Sequence, residues 1–495
     1  MNKIKNLFKN KKEFVLFSFS LIFALIFFIW QRQFFSWDFY VYVMNGQFPN
    51  GIYFEWLRPP LVPFLLGIFM IFGKTTGQYL FTIFSTILYF FALKIFHDRF
   101  LKEKKYSEIF YLLAINPFIL IYGMGMGTEL FSLSLIILFV SFAFTYKSYF
   151  FMGLAMLTRY SNFILFPLIF LSNNWKKILM GLLIIFVTFL PWFIFNYANT
   201  GHALTSIGDY YTLNSLEQAK ATPDIGKLGL HLLISLNFLI PLILFGIFYF
   251  IKYEKIKKDY KKLGIILTVF SFLVLLTYEF NPYKDQRFLF NLLFPAIYFS
   301  TLGFNYLLEK KNLPWKKMIF VLIFIAIIVS SIFSFAFMSI GNKDFIREDN
   351  KIKEISSKLG EIGNNCTISS DLWVYFNWYG EKARPEPKWR PTIKDNLPEI
   401  YSMVAEGYNV ILFKNSEAYY VNMNFTRNLS QYIFENTEQY IWLKNNESCR
   451  LDDKIESNYF ESMKIVGEFP EDFTGCDALF LRFGLRNICR KFSFL

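Results

Sequence analysis

The sequence predicts a polytopic α-helical membrane protein: about eleven transmembrane helices followed by an extracytoplasmic α/β domain. Three observations predict it. First, 54% of the 495 residues are hydrophobic and 21% aromatic, with mean hydropathy +0.34, whereas soluble domains hold about 45–50% apolar residues. Second, charge is partitioned. Residues 1–340 carry 31 Lys/Arg and 15 Asp/Glu, a balance of +16, and residues 341–495 carry 20 and 23, a balance of −3. The basic half is the apolar half, which marks a cytoplasmic membrane face rather than a nucleic-acid-binding surface. Third, all four cysteines, Cys366, Cys449, Cys476 and Cys489, fall in the 341–495 tail.

A bilayer core of about 30 Å requires about 17–25 apolar residues per helix. Runs of that kind extend over Phe14–Trp30, Gly77–Phe96, Ser107–Met126, Glu129–Tyr146, Ile178–Asn196, Leu228–Ile251, Leu263–Phe280, Phe288–Leu308 and Met318–Ile340. Pro59–Gly73 is apolar but short and contains three prolines, so it reads as an interfacial or re-entrant piece within an outer loop spanning 31–76. The first run lacks a small-residue cleavage site, and no cleaved signal peptide is expected.

Tyr149–Leu171 has Arg159 at its middle. A single span would put a guanidinium near the bilayer centre, at about 2.5–3.5 kcal/mol on insertion scales. If the segment is instead two half-spans returning to one side, Lys and Arg divide 23 to 7 between the two sides, with Arg159 at depth. That asymmetry favours eleven crossings, with the N-terminus cytoplasmic and the C-terminal domain extracytoplasmic. The expected domains are therefore 1–340 in the membrane and 341–495 outside it.

The tail agrees with an external location. An even cysteine count suits disulfides in an oxidising compartment, with three pairings open. Four Asn-x-Ser/Thr sequons, at Asn365, Asn424, Asn428 and Asn446, lie in the same region. Within the tail, Ile346–Leu359 reads as an amphipathic helix and Cys366–Ser369 as a short strand. Asp371–Tyr379 reads as an aromatic helix capped by Asp371, and Asn409–Phe413 as a buried strand.

Two outer loops carry more charge and aromatic character than connectors need. One contains Ser36-Trp37-Asp38-Phe39-Tyr40 and Glu55-Trp56-Leu57-Arg58-Pro59-Pro60-Leu61. A carboxylate such as Asp38, among aromatic residues at the membrane edge, gains basicity through desolvation; a helix N-cap at the interface, with aromatic belt neighbours, is the plainer reading. The other loop, Tyr278 to Arg287, offers Lys284 and Arg287, which suit a phosphate or a snorkelling pair at two helix ends. Glu129 follows a glycine-rich stretch, Gly123 to Thr128, and matches the positive end of a helix. Arg159 needs an acid partner such as Glu129, or a polar cavity.

Certain chemistries have no support. The chain contains no Asp-x-Asp, no Walker-type loop, and only scattered histidines (His97, His202, His231), so a metal-independent and nucleotide-independent reaction is expected, with no cofactor and no nucleic-acid partner.

Taken together, Trp37-Asp38-Phe39-Tyr40, Arg58-Pro59-Pro60-Leu61, Asn116-Pro117, Gly127-Thr128-Glu129-Leu130, Leu157-Thr158-Arg159-Tyr160, Pro191-Trp192 and Arg287-Phe288 resemble the GT-C superfamily of membrane glycosyltransferases. The likeness is to the protein mannosyltransferase and aminoarabinose transferase-like branch, and it covers most of 1–340. It implies an inverting transfer of a mannose-like sugar from a polyprenyl- or dolichyl-phosphate donor to a glycan or protein acceptor hydroxyl, outside the cytoplasm. It further implies Asp38 as general base, Arg58, Lys284 and Arg287 as holders of the lipid phosphate, and Arg159 or Glu129 as residues shaping the site. The family often pairs acids in its first loop; here Glu55 lies seventeen residues beyond Asp38 and would have to fold back to assist. The rival from another class is a carrier or flippase for a lipid-linked glycan or solute, which ought to show internal repeats or paired broken helices.

Overall fold

A computed structural model describes residues 11–33, 36–48, 53–143, 145–172, 174–218, 224–254, 258–279, 281, 284–309, 316–341, 343–361, 366–385, 397–414 and 430–457. The described chain forms two compact units. One takes residues 11–33 and 56–339. The other takes 36–55 and 340–457, so the first part of the outer loop packs with the tail, while its residues from 56 on belong to the membrane unit.

The first unit is helical throughout. Among the described residues, six helices are long and apolar enough to cross a membrane: Lys11–Gln31, Lys74–Phe100, Trp175–Thr200, Tyr260–Glu279, Gln286–Glu309 and Val321–Ile340. A seventh span arises if Ile225–Leu236 and Leu239–Lys252, bent by 91°, count as one. The protein is thus a multi-pass membrane protein. Many residues on these helices, such as Ile26, Leu183 and Phe333, are exposed and apolar, as lipid-facing positions are.

Two expected spans are broken, and a third segment, expected as two half-spans, is broken as well. Ser107–Met126 is two short helices, Ile109–Leu113 and Pro117–Tyr122. The first stops at Leu113, and Asn116 starts the second, because its side-chain oxygen accepts the Ile119 amide at 3.0 Å and proline at the next position fits a first helical turn. Leu228–Ile251 bends at Asn237, whose φ of 35° lies in the left-handed region. Tyr149–Leu171 breaks at Arg159, which is extended (φ −150°, ψ 119°) between the helix Tyr146–Thr158 and a 3₁₀ segment, Tyr160–Leu171.

Helix packing relies on small residues where backbones meet. A Cβ on Gly246 would lie 1.8 Å from the Phe299 carbonyl oxygen, and one on Gly303 would lie 1.9 Å from that of Leu242. Leu239–Tyr249 and Leu293–Glu309 therefore touch backbone to backbone, an arrangement membrane helices use in place of a hydrophobic drive between them. At one end of the bundle, Glu13 ties Lys11–Gln31 to Lys74–Phe100. It accepts from the Tyr111 hydroxyl at 3.2 Å and pairs with Lys94 at 3.3 Å, while Lys94 also reaches Asp98 at 2.5 Å.

The second unit is a small α/β domain. Its five-stranded sheet runs Ala383–Pro385, Ile368–Ser370, Asn409–Phe413, Tyr440–Leu443, Ile433–Asn436. The first three strands are parallel and the last two pairings antiparallel. Asn409–Phe413 is buried along its whole length, as the sequence indicates for a central strand, and Lys343–Glu361 supplies the amphipathic helix. Asp371 does not cap the aromatic helix Trp373–Trp378. Its carboxylate accepts the Phe413 amide at 3.3 Å, bracing the strand instead. Tyr53–Glu55 pairs in parallel with Ile455–Ser457, and the helix Trp37–Gly46 packs Tyr40 against Tyr375 and Trp378. Those distant pairings fold the first part of the loop into this unit.

Cys366 and Cys449 form a disulfide across 83 residues, while Cys476 and Cys489 lie outside the described residues, as do the sequons at Asn365, Asn424 and Asn428. Asn446 is exposed. Opening the Cys366–Cys449 loop enlarges the unfolded ensemble, so Cys366→Ala with Cys449→Ala should lower this unit's unfolding free energy by about 2–5 kcal/mol, measured by denaturant titration followed by tryptophan fluorescence.

Candidate functional site

The polar core of the membrane unit is built on the turn between two short helices. Pro117–Tyr122 ends at Gly123, and the Leu130 amide donates to the Gly123 carbonyl at 2.9 Å, closing the turn. Gly127, at φ 82°, supplies the left-handed step that a side chain would strain. Glu129 then opens the helix Glu129–Ser141, where the unpaired amides of a first turn favour an anion. One of its oxygens accepts from the Thr128 amide and hydroxyl, at 3.2 and 3.4 Å.

The other oxygen of Glu129 accepts from Arg159 Nη1 at 2.6 Å. Glu129 is buried and Arg159 mostly so. The structure thereby joins two residues the sequence singled out separately, and the break in the Tyr149–Leu171 segment is what lets the guanidinium reach across. Below this pair Asn162 donates to Ser132 Oγ and to the Ala155 carbonyl, both at 2.7 Å, and accepts from Asn291 at 3.4 Å.

Arg287 approaches the same turn from another element. It begins the 3₁₀ segment Gln286–Leu292, which Asp285 caps by accepting the Arg287 amide at 2.9 Å. Its guanidinium lies 3.3 Å from Asp285 and donates to Met126 Sδ at 2.9 Å. Tyr122 donates to Gln286 at 3.4 Å, so the Pro117–Tyr122 helix and this segment are held side by side.

Lys284 is buried and sits at φ 42°. Its ammonium donates to the Glu279 carbonyl and, at 3.2 Å, to the Glu279 carboxylate. It closes the end of the preceding helix, where carbonyls are left over and a cation is favoured. Arg58 is half-buried in the turn before Leu61–Phe69.

Asp38 and Glu55 belong to the second unit. Ser36, rather than Asp38, caps the Trp37–Gly46 helix by accepting the Phe39 amide at 3.4 Å, and half-buried Asp38 lies in its first turn. Glu55 is anchored by Asn45, which donates to its carbonyl at 2.8 Å and accepts its amide at 3.0 Å. Asn45 is seven residues beyond Asp38, or about 10 Å along a helix. The backbone of Glu55 is therefore rooted at the far end of the helix from Asp38, and the expected folding back leaves the two acids rooted apart.

One residue with a central place in the geometry went unmarked by sequence reasoning. Arg32, fully buried at the end of Lys11–Gln31, donates to the carbonyls of Met124 and Gly125, and Gln31 donates to that of Ile121 at 2.6 Å. In the sequence Arg32 merely ends an apolar run, as an interfacial anchor would. Elsewhere in the unit, Glu13, His97 and Asp98 place ligand-type atoms within 4.8 Å of one another. The Lys94 ammonium contacts both carboxylates there and offsets part of their charge.

The fold of this chain is shared with solved structures. Solved structures of ArnT from Cupriavidus metallidurans match it in two states. The one bound to undecaprenyl phosphate aligns with TM-score 0.55 at 10% identity, over 88% of this chain and 98% of that one. The apo structure gives 0.56 at 8%, over 86% and 97%. Residues 231–377, less than a third of the chain, match the model of the Alg9-like mannosyltransferase family. No curated protein matches the sequence.

A buried carboxylate–guanidinium pair is costly to split, because either partner left alone keeps an uncompensated charge in low dielectric. Glu129→Ala should therefore destabilise the membrane unit by about 3–5 kcal/mol. Glu129→Leu combined with Arg159→Met should cost less than the sum of the single replacements, read as melting temperature in detergent.

Proposed function

We propose that this protein is an inverting glycosyltransferase that moves a mannose-like sugar from a polyprenyl- or dolichyl-phosphate to an acceptor hydroxyl on a glycan or protein, on the extracytoplasmic side of the membrane. The observation that carries the proposal is the convergence of Arg287, the Gly123–Thr128 turn and the Glu129–Arg159 pair in a fold shared with a protein that holds undecaprenyl phosphate. The Alg9-like match supports a mannose-like sugar, and the partition of Lys and Arg supports a cytoplasmic N-terminus and an extracytoplasmic tail.

The chemistry follows from the bond broken. Cleaving an anomeric carbon–phosphate bond leaves an oxocarbenium-like centre and a departing lipid phosphate. Fixed cations in a low-dielectric setting stabilise that anion. Arg287 is assigned to the phosphate, with Arg58 and Lys284 contributing positive charge beside it. Glu129 holds Arg159 in place at the floor of the site. Asp38 is assigned as the base that takes the acceptor's proton while the new glycosidic bond forms with inversion. Glu55 contributes through the backbone clamp with Asn45, and a single carboxylate serves as base. No step requires a metal or a nucleotide.

The assay is release of polyprenyl phosphate from a radiolabelled lipid-linked mannose by purified protein. Asp38→Asn should lower turnover by about 10²–10⁴-fold, the range general bases supply, while binding of undecaprenyl phosphate persists. Arg287→Ala should weaken that binding by about 10- to 100-fold, as loss of a charge-assisted hydrogen bond does. Near-normal turnover by the Asp38→Asn protein would remove the mechanism.

A further inference from the structure

The clamp made by Arg32 has a consequence for the cation that holds the phosphate. Helix ends leave carbonyls without intrahelical partners, and the turn after Pro117–Tyr122 presents those of Ile121, Met124 and Gly125. Gln31 and Arg32, consecutive residues ending the first membrane helix, take all three. Gly123, Gly125 and Gly127 offer the turn no side chains to pack, so its backbone contacts bear much of its shape. Its position is fixed from one side by the clamp and from the other by the Gly123–Leu130 hydrogen bond.

Met126 lies between the clamped carbonyls and Glu129, and its sulfur is what Arg287 Nη1 touches. A thioether is a weak acceptor; it does not neutralise the guanidinium, but together with Asp285 on the other side it bounds where the guanidinium lies. Moving the turn by an ångström moves that support. We propose that Arg32 is a positioning residue, acting through the Met124–Met126 turn to set the guanidinium of Arg287 where it meets the lipid phosphate. This rests on the reading of Arg287 as the phosphate ligand.

A guanidinium suits the task because it presents several donors in a fixed plane, whereas an ammonium is a point charge on a flexible stem. Misplacement of a binding group by about 1 Å through a remote change can cost up to about 10²-fold, so a positioning effect of about tenfold is within range.

The test measures affinity for undecaprenyl phosphate, by quenching of tryptophan fluorescence in detergent, in a double-mutant cycle. Arg32→Met should weaken binding about tenfold, and Arg32→Lys, which keeps the buried charge and folds more readily, by a smaller factor. Met126→Ala should act in the same direction with Arg32 intact. In an Arg287→Ala background the further loss from Arg32→Met should shrink to less than about twofold, because nothing is left to position. Three results overturn the inference: binding unchanged in Arg32→Met and Arg32→Lys while the melting temperature falls, an undiminished Arg32 effect in the Arg287→Ala background, or normal binding by Met126→Ala. Normal binding by Arg287→Ala alone instead removes the parent assignment of the phosphate ligand, and the positioning role with it.

Discussion

A guanidinium inside a helical membrane bundle needs a carboxylate or a set of backbone carbonyls, and Arg159 meets the need with the carboxylate of Glu129. Much of the surrounding architecture can be derived from it. Arg159 must leave the helical path to reach Glu129, so the helix stops at Thr158 and resumes as a tighter 3₁₀ segment. Glu129 must stand at a helix start, where unpaired amides help hold its charge, so a turn has to precede it. That turn needs glycines to be short and then needs carbonyl partners, which Arg32 and Gln31 supply. One expensive ion pair thus organises three helices around a polar floor.

The sequence revealed those parts whose signal is local. Long apolar runs delimit the principal spans. A single charge in an apolar segment marked the break at Arg159, and lone acids and bases marked Glu129 and Arg287. Asn116-Pro117 carried a helix-restart signal in plain view, yet the continuous apolarity of 107–126 outweighed it. The bend at Asn237 has no such mark: its left-handed backbone is set by packing, and asparagine is only one of the residues that tolerate it.

Non-local pairings account for most of the remainder. Tyr53–Glu55 finds its strand partner about four hundred residues away at Ile455–Ser457. Tyr40 meets Tyr375 and Trp378 edge to face. Neither pairing leaves a periodic trace within its own segment, so the first loop reads as part of the membrane module until its contacts are known. Asp371 shows the same limit on a smaller scale. Its place before an aromatic helix suggests a cap, whereas its hydrogen bond goes to a strand forty-two residues on. Arg32 was missed for a different reason, because a basic residue ending an apolar run is the ordinary pattern of an interfacial anchor. Only three-dimensional contact distinguishes an anchor from a clamp.

The cations of the membrane unit differ most in what an incoming anion would have to displace. Arg159 is held at 2.6 Å by a carboxylate that is itself buried. Lys284 is buried and turned toward the carbonyls and side chain of Glu279. Arg287 faces an acid that is more than a third exposed, at 3.3 Å, and a thioether. An exposed ion pair contributes about 0–1 kcal/mol, and water can take over the solvation of Asp285 when it is released. Exchange of that partner for a phosphate oxygen is therefore cheap at Arg287, whereas the same exchange at Arg159 would abandon a buried charge at several kcal/mol. The energetics separate a cation poised to change partners from one fixed to keep the bundle in register, although both are arginines at the edge of the same polar floor.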